Sequence, residues 1–340
     1  MQKTLLIIGA GGFIGGFIAR EALRRGFDTT AAVRQSTSRR YLTDPQLKFA
    51  VLDYDHPDTL EAALRAAAPE SGRWDYIIWN LGATKCANFA DFNKINFVYL
   101  RDFVNVITQA DMLPGRFLFM SSLSALGPAD ETGYSPLNSR TIPNPNTRYG
   151  LSKIKAETFL ETQPQLPWII FRPTGVYGPH EQDYLMMIKS IDSHFDFGVG
   201  FRRQLLTFIY VEDLVNAMFD AMAAGVLKKK YIISEDRAYT QSEFRKIVAR
   251  RLGKKWVIPV KLPMWAVYAA SVVAEKWGSL RLKPSTLNRD KFKIMKQRNW
   301  SCDISDAVND FGFSPKFPLE RGIGITVDEY LHHKSLSHKK

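Results

Sequence analysis

The chain has 340 residues, of which 45% are hydrophobic and 24% charged, and its mean hydropathy is −0.19. These values are typical of a soluble globular protein with one large core or two smaller ones, and they exclude an intrinsically disordered chain. The formal net charge of +12 favours anionic partners. The sequence contains no nucleic-acid-binding module, however, so we expect no nucleic-acid partner.

The cysteines and the apolar runs indicate the compartment. Cys86 and Cys302 have no metal-ligand spacing, so we expect ordinary buried or half-buried thiols in a reducing compartment and no metal site. The apolar run Leu5–Ile8 is too short for the core of a signal peptide, and Met264–Ala274 is too short to span a bilayer. The sequence therefore predicts a cytoplasmic protein; a peripheral position at the inner face of the membrane is the alternative.

Short aliphatic runs alternate with amphipathic helical segments through the first half of the chain. Apolar spacing predicts helices over Gly12–Arg25 and Phe97–Ala110. The predicted strands are Thr4–Ile8, Thr29–Val33, Lys48–Leu52, Tyr76–Trp79 and Arg116–Met120. This alternation predicts an α/β fold with a Rossmann-type, doubly wound parallel sheet.

The pattern loosens after Pro173, where we predict strands over Leu206–Val211 and Tyr231–Ile233 and a helix over Gln241–Leu252. The predicted division is a cofactor-binding domain, a smaller and mostly helical C-terminal substrate-binding region, and a basic mobile tail. Their bounds are residues 1–172 with a return segment at about 204–236, residues 173–203 with 237–330, and residues 331–340.

A glycine-rich turn, Gly9-x-x-Gly12-x-x-Gly15, connects the first predicted strand to the first predicted helix. Glycines here permit a tight turn and let backbone N–H groups approach a pyrophosphate, which the helix N-terminus also favours. Phe13 and Ile14 lie within this turn and would contact the same ligand. In a strand–helix–strand unit this pattern predicts dinucleotide binding.

The end of the second predicted strand bears on the choice between NADP and NAD. NAD-binding proteins commonly place an acidic residue there to bind the ribose hydroxyls. This sequence has Arg34 instead, followed by Arg39 and Arg40. Because an arginine fork suits a 2′-phosphate, we predict a preference for NADP(H), with NAD(H) as the alternative.

Asp53 and Tyr54 follow the third predicted strand. The Asp53 carboxylate could accept a hydrogen bond from an adenine amino group, and Tyr54 could line the adenine ring. Equally, Asp53 could cap the helix that follows. The sequence leaves both interpretations open.

Tyr149 and Lys153 lie one helical turn apart, so their side chains share a helix face. A nearby ammonium is expected to lower the pKa of the tyrosine and make it a usable acid or base. The strand Arg116–Met120 runs into three serines, of which Ser122 is our choice for holding the substrate oxygen. We therefore predict a catalytic group of Ser122, Tyr149 and Lys153.

These motifs together resemble those of the extended short-chain dehydrogenases/reductases, a group that includes NAD-dependent epimerases and dehydratases. The likeness covers about residues 1 to 330, and its nearest branch is that of dihydroflavonol reductases and 3β-hydroxysteroid dehydrogenases. The motifs, in chain order, are the glycine turn, Asp53, the Ser122 region, Tyr149-x-x-x-Lys153, Phe171-Arg172-Pro173-Thr174-Gly175-Val176-Tyr177-Gly178-Pro179 and Tyr210-Val211-Glu212-Asp213.

The resemblance implies a Ser–Tyr–Lys mechanism in which Tyr149 exchanges a proton with the substrate while hydride moves to or from the nicotinamide. It also implies that Lys153 holds the nicotinamide ribose. By the same resemblance Leu81, Gly82 and Ala83 pass beneath the cofactor, and Pro173 and Val176 contact its nicotinamide end. Leu126 is a departure, because sugar-nucleotide epimerases often have a tyrosine at that position.

The sequence favours a hydrophobic substrate, such as a sterol-like or long-chain 3-keto lipid, whose ketone is reduced or whose alcohol is oxidised. Leu123, Ser124 and Ala125 occupy the segment where a dehydratase would carry an acidic pair. We expect Ser124, Tyr177 and Tyr184 to contact the substrate. The alternatives are a nucleotide-sugar epimerase with tightly held NAD(P), and a protein that binds NADP without turnover.

Two further partners are predicted from surface character. The apolar faces of helices 97–110 and 149–162 favour a homodimer, as in the family that the chain resembles. Residues 281–298 contain seven Lys or Arg side chains against one acidic residue. Such a run is usually solvated surface; the alternative is contact with a membrane or an acyl carrier.

Overall fold

The computed structural model describes residues 2–86, 88–280 and 287–337. The strands of this part of the chain are β1 (Thr4–Ile8), β2 (Asp28–Val33), β3 (Lys48–Val51), β4 (Tyr76–Trp79), β5 (Arg116–Met120), β6 (Trp168–Pro173), β7 (Gly175–Tyr177), β8 (Phe195–Val199), β9 (Leu205–Tyr210), β10 (Lys229–Ile233), β11 (Ala238–Thr240) and β12 (Ile258–Leu262). Three of the predicted strands, β1, β4 and β5, have the bounds that the sequence predicted.

The α-helices alternate with these strands through the first half of the chain, which confirms the predicted α/β class. They are α1 (Phe13–Arg24), α2 (Pro57–Ala67), α3 (Phe89–Asn93), α4 (Tyr99–Gln109), α5 (Arg148–Glu161), α6 (Gln182–Asp192), α7 (Val211–Ala223), α8 (Gln241–Arg251), α9 (Met264–Leu280), α10 (Arg289–Lys296), α11 (Ser305–Phe311) and α12 (Leu319–Ser337). Within these described residues no helix is long and apolar enough to cross a bilayer.

Seven strands form one parallel sheet in the order β10-β6-β5-β4-β1-β2-β3. From β1 the chain adds strands outward to β3 and then crosses back to β4 on the other side of β1. In a sheet of this kind, ligands bind at the carboxyl ends of the strands on either side of such a crossover. The loops that follow β1, β4 and β5 are therefore the candidate ligand-binding loops.

Both faces of the sheet are covered, because alternate residues of β1 belong to two different hydrophobic cores. Leu5 and Ile7 belong to a core that includes Phe17 of α1 and Leu214 of α7. Leu6 and Ile8 belong to a second core on the opposite face, with side chains from α2, α4 and α5. Because successive strand residues point to opposite faces, a sheet covered on both sides needs continuous apolar strands, as the sequence has.

The C-terminal region adds a three-stranded sheet, β11-β9-β7, and a two-stranded sheet, β12-β8. Helix α12 continues to Ser337, so residues 331–337 of the predicted tail are helical. Tyr330 and Lys334 both donate hydrogen bonds to Asp192, which anchors the last turns of α12. Residues 338–340 lie outside the described part of the chain, and the predicted domain division stays a prediction.

Candidate active site

The glycine turn after β1 is shaped by close backbone contacts at two of its three glycines. Gly9 has a φ of +83°, and a Cβ there would lie 2.7 Å from the backbone nitrogen of Leu81. A Cβ on Gly15 would lie 2.3 Å from the Gly9 carbonyl oxygen. A Cβ on Gly12 would meet only that carbonyl, at 3.6 Å. The protein's own packing thus leaves room at Gly12, which suits the close approach of a pyrophosphate.

Phe13 and Ile14 begin α1 and are half-buried. The Phe13 ring packs edge-on against Phe17, with 5.8 Å between ring centroids, and Ile14 packs against the first core. Their side chains therefore fix the start of the helix. Their backbone N–H groups lie at its N-terminus, where an anionic ligand is favoured.

The loop after β4 lies against both the glycine turn and the helix that carries the predicted catalytic pair. Leu81 contacts Gly9, and a Cβ on Gly82 would lie 2.9 Å from the Lys153 Nζ. The structure therefore brings together the glycine turn, the 81–83 loop and Lys153, which the sequence placed in one site. A nicotinamide dinucleotide fits this arrangement, because glycines at residues 9, 12 and 82 let the backbone approach a ligand beside Lys153.

Local capping sets the position of Tyr149 and Lys153. Thr147 caps α5 by accepting a hydrogen bond from the Gly150 N–H at 3.0 Å. Tyr149 therefore lies in the first turn and Lys153 in the next, with the Lys153 Nζ 5.9 Å from the centre of the Tyr149 ring. The Lys153 ammonium donates to the carbonyl of Met120, the last residue of β5, at 2.8 Å.

Ser122 follows β5, and its side chain lies beside that of Tyr149. Its hydroxyl accepts a hydrogen bond from the Ser124 N–H at 3.2 Å, which fixes the short 3₁₀ turn Leu123–Ala125. The hydrogen bond between Ser122 and Tyr149 opposes the effect of burial on the pKa of the tyrosine. Ser122, Tyr149 and Lys153 thus form one cluster at the carboxyl edge of the sheet.

The pKa values of the pair differ from the sequence expectation. Burial raises the pKa of Tyr149 to about 12, whereas the sequence predicted that Lys153 would lower it. Burial also lowers the pKa of Lys153 to about 8, and the Glu157 carboxylate opposes that shift. Desolvation therefore sets the direction of both pKa shifts. At neutral pH Tyr149 is protonated, which is the state that a general acid requires.

Asn96 is a polar residue of this site that the sequence reasoning missed. Its amide accepts from the Ala83 N–H at 2.8 Å and donates to the Ala83 carbonyl at 3.0 Å and to the Ser152 hydroxyl at 2.9 Å. It lies in a π-helical stretch, Lys94–Val98, where the sequence predicted a continuous helix from Phe97. Asn96 is fully buried in the structure, and the available sequence signal was an asparagine between the apolar residues Ile95 and Phe97.

A second buried polar group, which we call the Glu157 network, lies one turn beyond Lys153 on α5. The Glu157 carboxylate accepts hydrogen bonds from the Arg172 guanidinium, at 2.5 Å from Nη2 and 3.1 Å from Nε, and from the Ser121 hydroxyl. Glu157 and Arg172 are both buried. The network connects α5 to the ends of β5 and β6, the elements that carry Lys153, Ser122 and Pro173.

The arginines after β2 lie at the surface beside the glycine turn. Arg34, Arg39 and Arg40 are exposed, and none forms an ion pair with a carboxylate of the described chain. The Arg39 guanidinium lies 4.3 Å from the centre of the Phe49 ring, and that of Arg40 lies 4.4 Å from the centre of the Tyr41 ring. Arg34 donates its backbone N–H to the Thr37 hydroxyl at 3.0 Å, and the residue is exposed to solvent.

Asp53 and Tyr54 differ in their suitability for an adenine. Asp53 is exposed, accepts from the Asp55 N–H at 2.9 Å and binds the His56 ring at 2.8 Å, immediately before α2. The N-cap of α2 is His56, and no side chain caps this helix, so the cap interpretation of Asp53 is wrong and its contact with adenine stays a prediction. Tyr54 is only 4% exposed and packs against Trp79 and Tyr99, so it belongs to the core, and its contact with the adenine ring stays a prediction.

The residues predicted to contact the nicotinamide and the substrate differ in position and burial. Pro173 ends β6 at the carboxyl edge of the parallel sheet, where β5 also ends, and Val176 lies in β7 of the three-stranded sheet. Ser124 and Tyr184 are half-buried near them, and the Tyr184 hydroxyl lies beside Gly175. Tyr177 is fully buried in the core of the C-terminal region, and its substrate contact stays a prediction. Cys86 and Cys302 are free, half-buried thiols, as predicted.

Comparison with known proteins supports the enzyme class. The sequence matches the NAD dependent epimerase/dehydratase family over residues 5–234. The protein named 3beta-hydroxysteroid-dehydrogenase/decarboxylase isoform 1 from Arabidopsis thaliana is 25% identical over 220 residues, which cover 58% of this chain and 49% of that relative. The chain thus spans about half the length of that relative.

Solved structures show the same fold. UDP-glucose 4-epimerase from Thermotoga maritima has a TM-score of 0.77 at 19% identity, covering 97% of this chain and 99% of that one. The dTDP-glucose 4,6-dehydratase from Streptomyces venezuelae has a TM-score of 0.77 at 18% identity, covering 98% of both chains. Together with the glycine turn and the Ser122–Tyr149–Lys153 cluster, these matches establish that the chain belongs to the NAD-dependent epimerase/dehydratase family and is an NAD(P)-dependent enzyme of the short-chain dehydrogenase/reductase type.

Proposed function

We propose that the protein is an NADP(H)-dependent oxidoreductase that reduces a ketone of a hydrophobic substrate, or oxidises the corresponding alcohol. The observation that carries the proposal is Arg34, an exposed cation without a carboxylate partner in the described chain, at the end of β2 beside the glycine turn. A guanidinium there suits a 2′-phosphate, and no acidic residue follows β2 to repel one. NADPH is also the reduced cofactor of net reductions, which favours redox turnover over epimerisation.

The cluster provides the acid chemistry of such a reduction. The bound nicotinamide would supply hydride, and Tyr149 would donate its phenolic proton to the substrate oxygen. Ser122 lies beside Tyr149 and would hydrogen-bond the same oxygen. Lys153 uses one of its three N–H donors on Met120 and has two left for the nicotinamide ribose. Its charge would stabilise the phenolate that forms as the proton leaves.

The surroundings of the cluster support a hydrophobic ketone over the substrate of a dehydratase. No carboxylate of the described chain hydrogen-bonds the side chain of Ser122 or Tyr149. Elimination of water would need such a group as an additional acid or base. The Tyr149 ring lies 6.3 Å from the ring of the buried Phe92, which makes this side of the site apolar. The name of the Arabidopsis relative points to a steroid substrate for that protein, and sterol-like and long-chain 3-keto lipids are our candidates here.

The test is oxidation of NADPH, compared with NADH, across long-chain 3-keto lipids, steroid ketones, flavanonols and nucleotide sugars. Stoichiometric NADPH oxidation with one hydrophobic ketone is the expected result. Interconversion of a nucleotide sugar without net NADPH oxidation, with cofactor retained through purification, would instead identify an epimerase. That alternative has the same family membership in its favour.

Replacing Arg34 tests the cofactor preference directly. We expect Arg34→Ala to raise the KM for NADPH by about 10–100-fold, the equivalent of one to two charge-assisted hydrogen bonds to a phosphate. The KM for NADH should stay the same, because NADH has no 2′-phosphate. The matched control is Arg73→Ala, an exposed arginine near the other end of the sheet, which should change neither value. An equal change for both cofactors would contradict a role for Arg34 in NADP selection.

We also propose that the protein is a homodimer. A groove on the outer side of α5 is lined by apolar side chains, and its polar members are restricted to Lys155, Thr158 and Thr162. Leu151 and Phe89, which line it, are 44% and 45% exposed. Two such faces related by a two-fold axis would cover each other, and a self-complementary contact of this kind closes a dimer.

Leu151→Asp is expected to convert the dimer to a monomer, because burying an unpaired carboxylate in the contact is unfavourable. Light scattering at micromolar concentration would measure the mass. Ile142→Asp is the control, since Ile142 is 86% exposed and lies outside the groove. A wild-type protein of monomeric mass would refute the dimer.

A further inference from the structure

An exposed surface rich in aromatic residues lies in the C-terminal region, and we call it the aromatic surface. Trp265 and Phe201 are 75% and 67% exposed, and Trp256 and Phe197 are 58% and 54% exposed. The aromatic surface consists of Phe195, Phe197, Phe201, Trp256, Trp265 and Tyr268. Large aromatic side chains concentrated on one exposed surface indicate a binding function, since isolated exposed apolar residues are normal but clusters are not.

The exposure follows from the backbone geometry of the small sheet. Phe195 and Phe197 alternate with Asp196 in β8, and Asp196 points inward to Gln241 and Arg245. Both phenylalanine side chains are therefore directed outward, and their rings lie 6.1 Å apart. Ile258 is the partner of Phe195 in β12 and is exposed on the same face.

Helix α9 extends this surface beyond the sheet. Its inner side is formed by the buried residues Val267 and Ser271. Trp265, Ala269 and Val273 recur every fourth residue and are exposed, so they form one stripe along the opposite side. The hydrogen bond from the Gly200 N–H to the Leu262 carbonyl, at 2.8 Å, holds Phe201 close to the start of α9.

Basic side chains accompany the aromatic surface. These cations are exposed, and none of them pairs with a carboxylate of the described chain; they are Arg202, Arg203, Lys255, Lys261 and Lys276. The acidic residue of α9, Glu275, is already bound to Arg148 and Arg289. The charge next to the aromatic surface is therefore positive.

We propose that the aromatic surface and these five cations dock the protein on an anionic lipid bilayer. Tryptophan and tyrosine favour the region of lipid headgroups, and lysine and arginine bind the acidic headgroups there. A protein partner would be expected to bury fewer lysines, which are depleted at protein interfaces. The docking surface differs from the basic span 281–298 predicted from the sequence, of which residues 281–286 lie outside the described chain.

The docking surface also lies next to the active site, which suggests a route for the substrate. This step rests on the proposed function. Glu275 of α9 accepts a hydrogen bond from the Arg148 guanidinium at 3.2 Å, and Arg148 directly precedes Tyr149. Asp290 of α10 accepts the Arg148 backbone N–H at 2.8 Å. A lipid ketone could thus enter the site from the bilayer on the side that α9 faces.

The test is co-sedimentation of the full chain with vesicles, without substrate or cofactor, so that its outcome is independent of the proposed reaction. We expect binding to vesicles of phosphatidylcholine with about one third phosphatidylserine. Binding should weaken at least about tenfold on pure phosphatidylcholine or at high salt, because the cations then lose their attraction to the headgroups. The tryptophan fluorescence should be quenched by lipids brominated in the acyl chain.

The double variant Trp265→Ser, Phe201→Ser should lose at least about tenfold in vesicle affinity, since it removes the two most exposed members of the surface. Ile142→Ser removes an even more exposed apolar residue elsewhere and should bind as the wild type does. Absence of binding to anionic vesicles, or equal loss in both variants, would overturn the proposal. Self-association through the aromatic surface without vesicle binding would overturn it as well.

Discussion

Replacing Tyr149 with phenylalanine is expected to lower kcat for ketone reduction by about 10²–10⁴-fold while NADPH still binds. The phenylalanine ring keeps the contact with Phe92, whose centroid lies 6.3 Å away, so the fold of the site should persist. Only the phenolic proton is lost. Because the pKa of Tyr149 is raised to about 12, that proton is present at neutral pH and is the one that the substrate oxygen receives.

Single-turnover NADPH oxidation and NADPH binding by fluorescence would separate the two effects. Tyr330→Phe is the matched control, because it removes another half-buried hydroxyl that hydrogen-bonds Asp192 far from the cluster. A Tyr149→Phe protein that turns over at the wild-type rate would remove Tyr149 as the acid. A wild type that binds NADPH tightly but oxidises none with any substrate would favour a binder without turnover.

The parallel sheet could be predicted from the sequence because its strands are buried on both faces. β1, β4 and β5 are continuous apolar runs, a local pattern that needs no knowledge of the rest of the fold. The spacing of Tyr149 and Lys153 is likewise local, since both lie in one helix. Ser122 could be placed because strands of one parallel sheet end at the same edge.

The burial of aromatic residues and the electrostatics of the site could not be predicted from the sequence, because tertiary packing decides both. Tyr54 and Tyr177 each lie next to a residue of the predicted site, but their side chains point into a core. The sequence does not tell which face of a short strand or loop a tyrosine will take. The predicted direction of the Tyr149 pKa shift was wrong for a related reason. The desolvation that raises this pKa depends on groups that are distant in the sequence.

Replacing Glu157 with glutamine is expected to lower the free energy of unfolding by about 3–5 kcal/mol, the usual cost of leaving one member of a buried ion pair uncompensated. The substitution removes the negative charge that binds Arg172 but nearly keeps the volume of the side chain. Thermal or urea unfolding would measure the loss. Glu161→Gln is the matched control on the same helix, since Glu161 pairs with Lys230 at the surface, where such pairs contribute little.

The double variant Glu157→Gln, Arg172→Met should recover part of this stability, because it removes the uncompensated charge as well. Recovery would assign the loss to the buried guanidinium. If the double variant is as unstable as the sum of the two single variants, the two side chains do not interact energetically and the ion pair is not the cause.

Glu157→Gln should also change the pH profile, which a merely structural role would not do. Lys153 has a lowered pKa of about 8, so its ammonium is present below that pH and is lost as the pH rises through it. Reduction should therefore decline above about pH 8 in the wild type. The Glu157 carboxylate holds this pKa up, so its removal should move the alkaline limb of kcat/KM for reduction to lower pH. An unchanged limb in a folded Glu157→Gln protein would show that Glu157 does not position or tune Lys153, and that the Glu157 network serves stability alone.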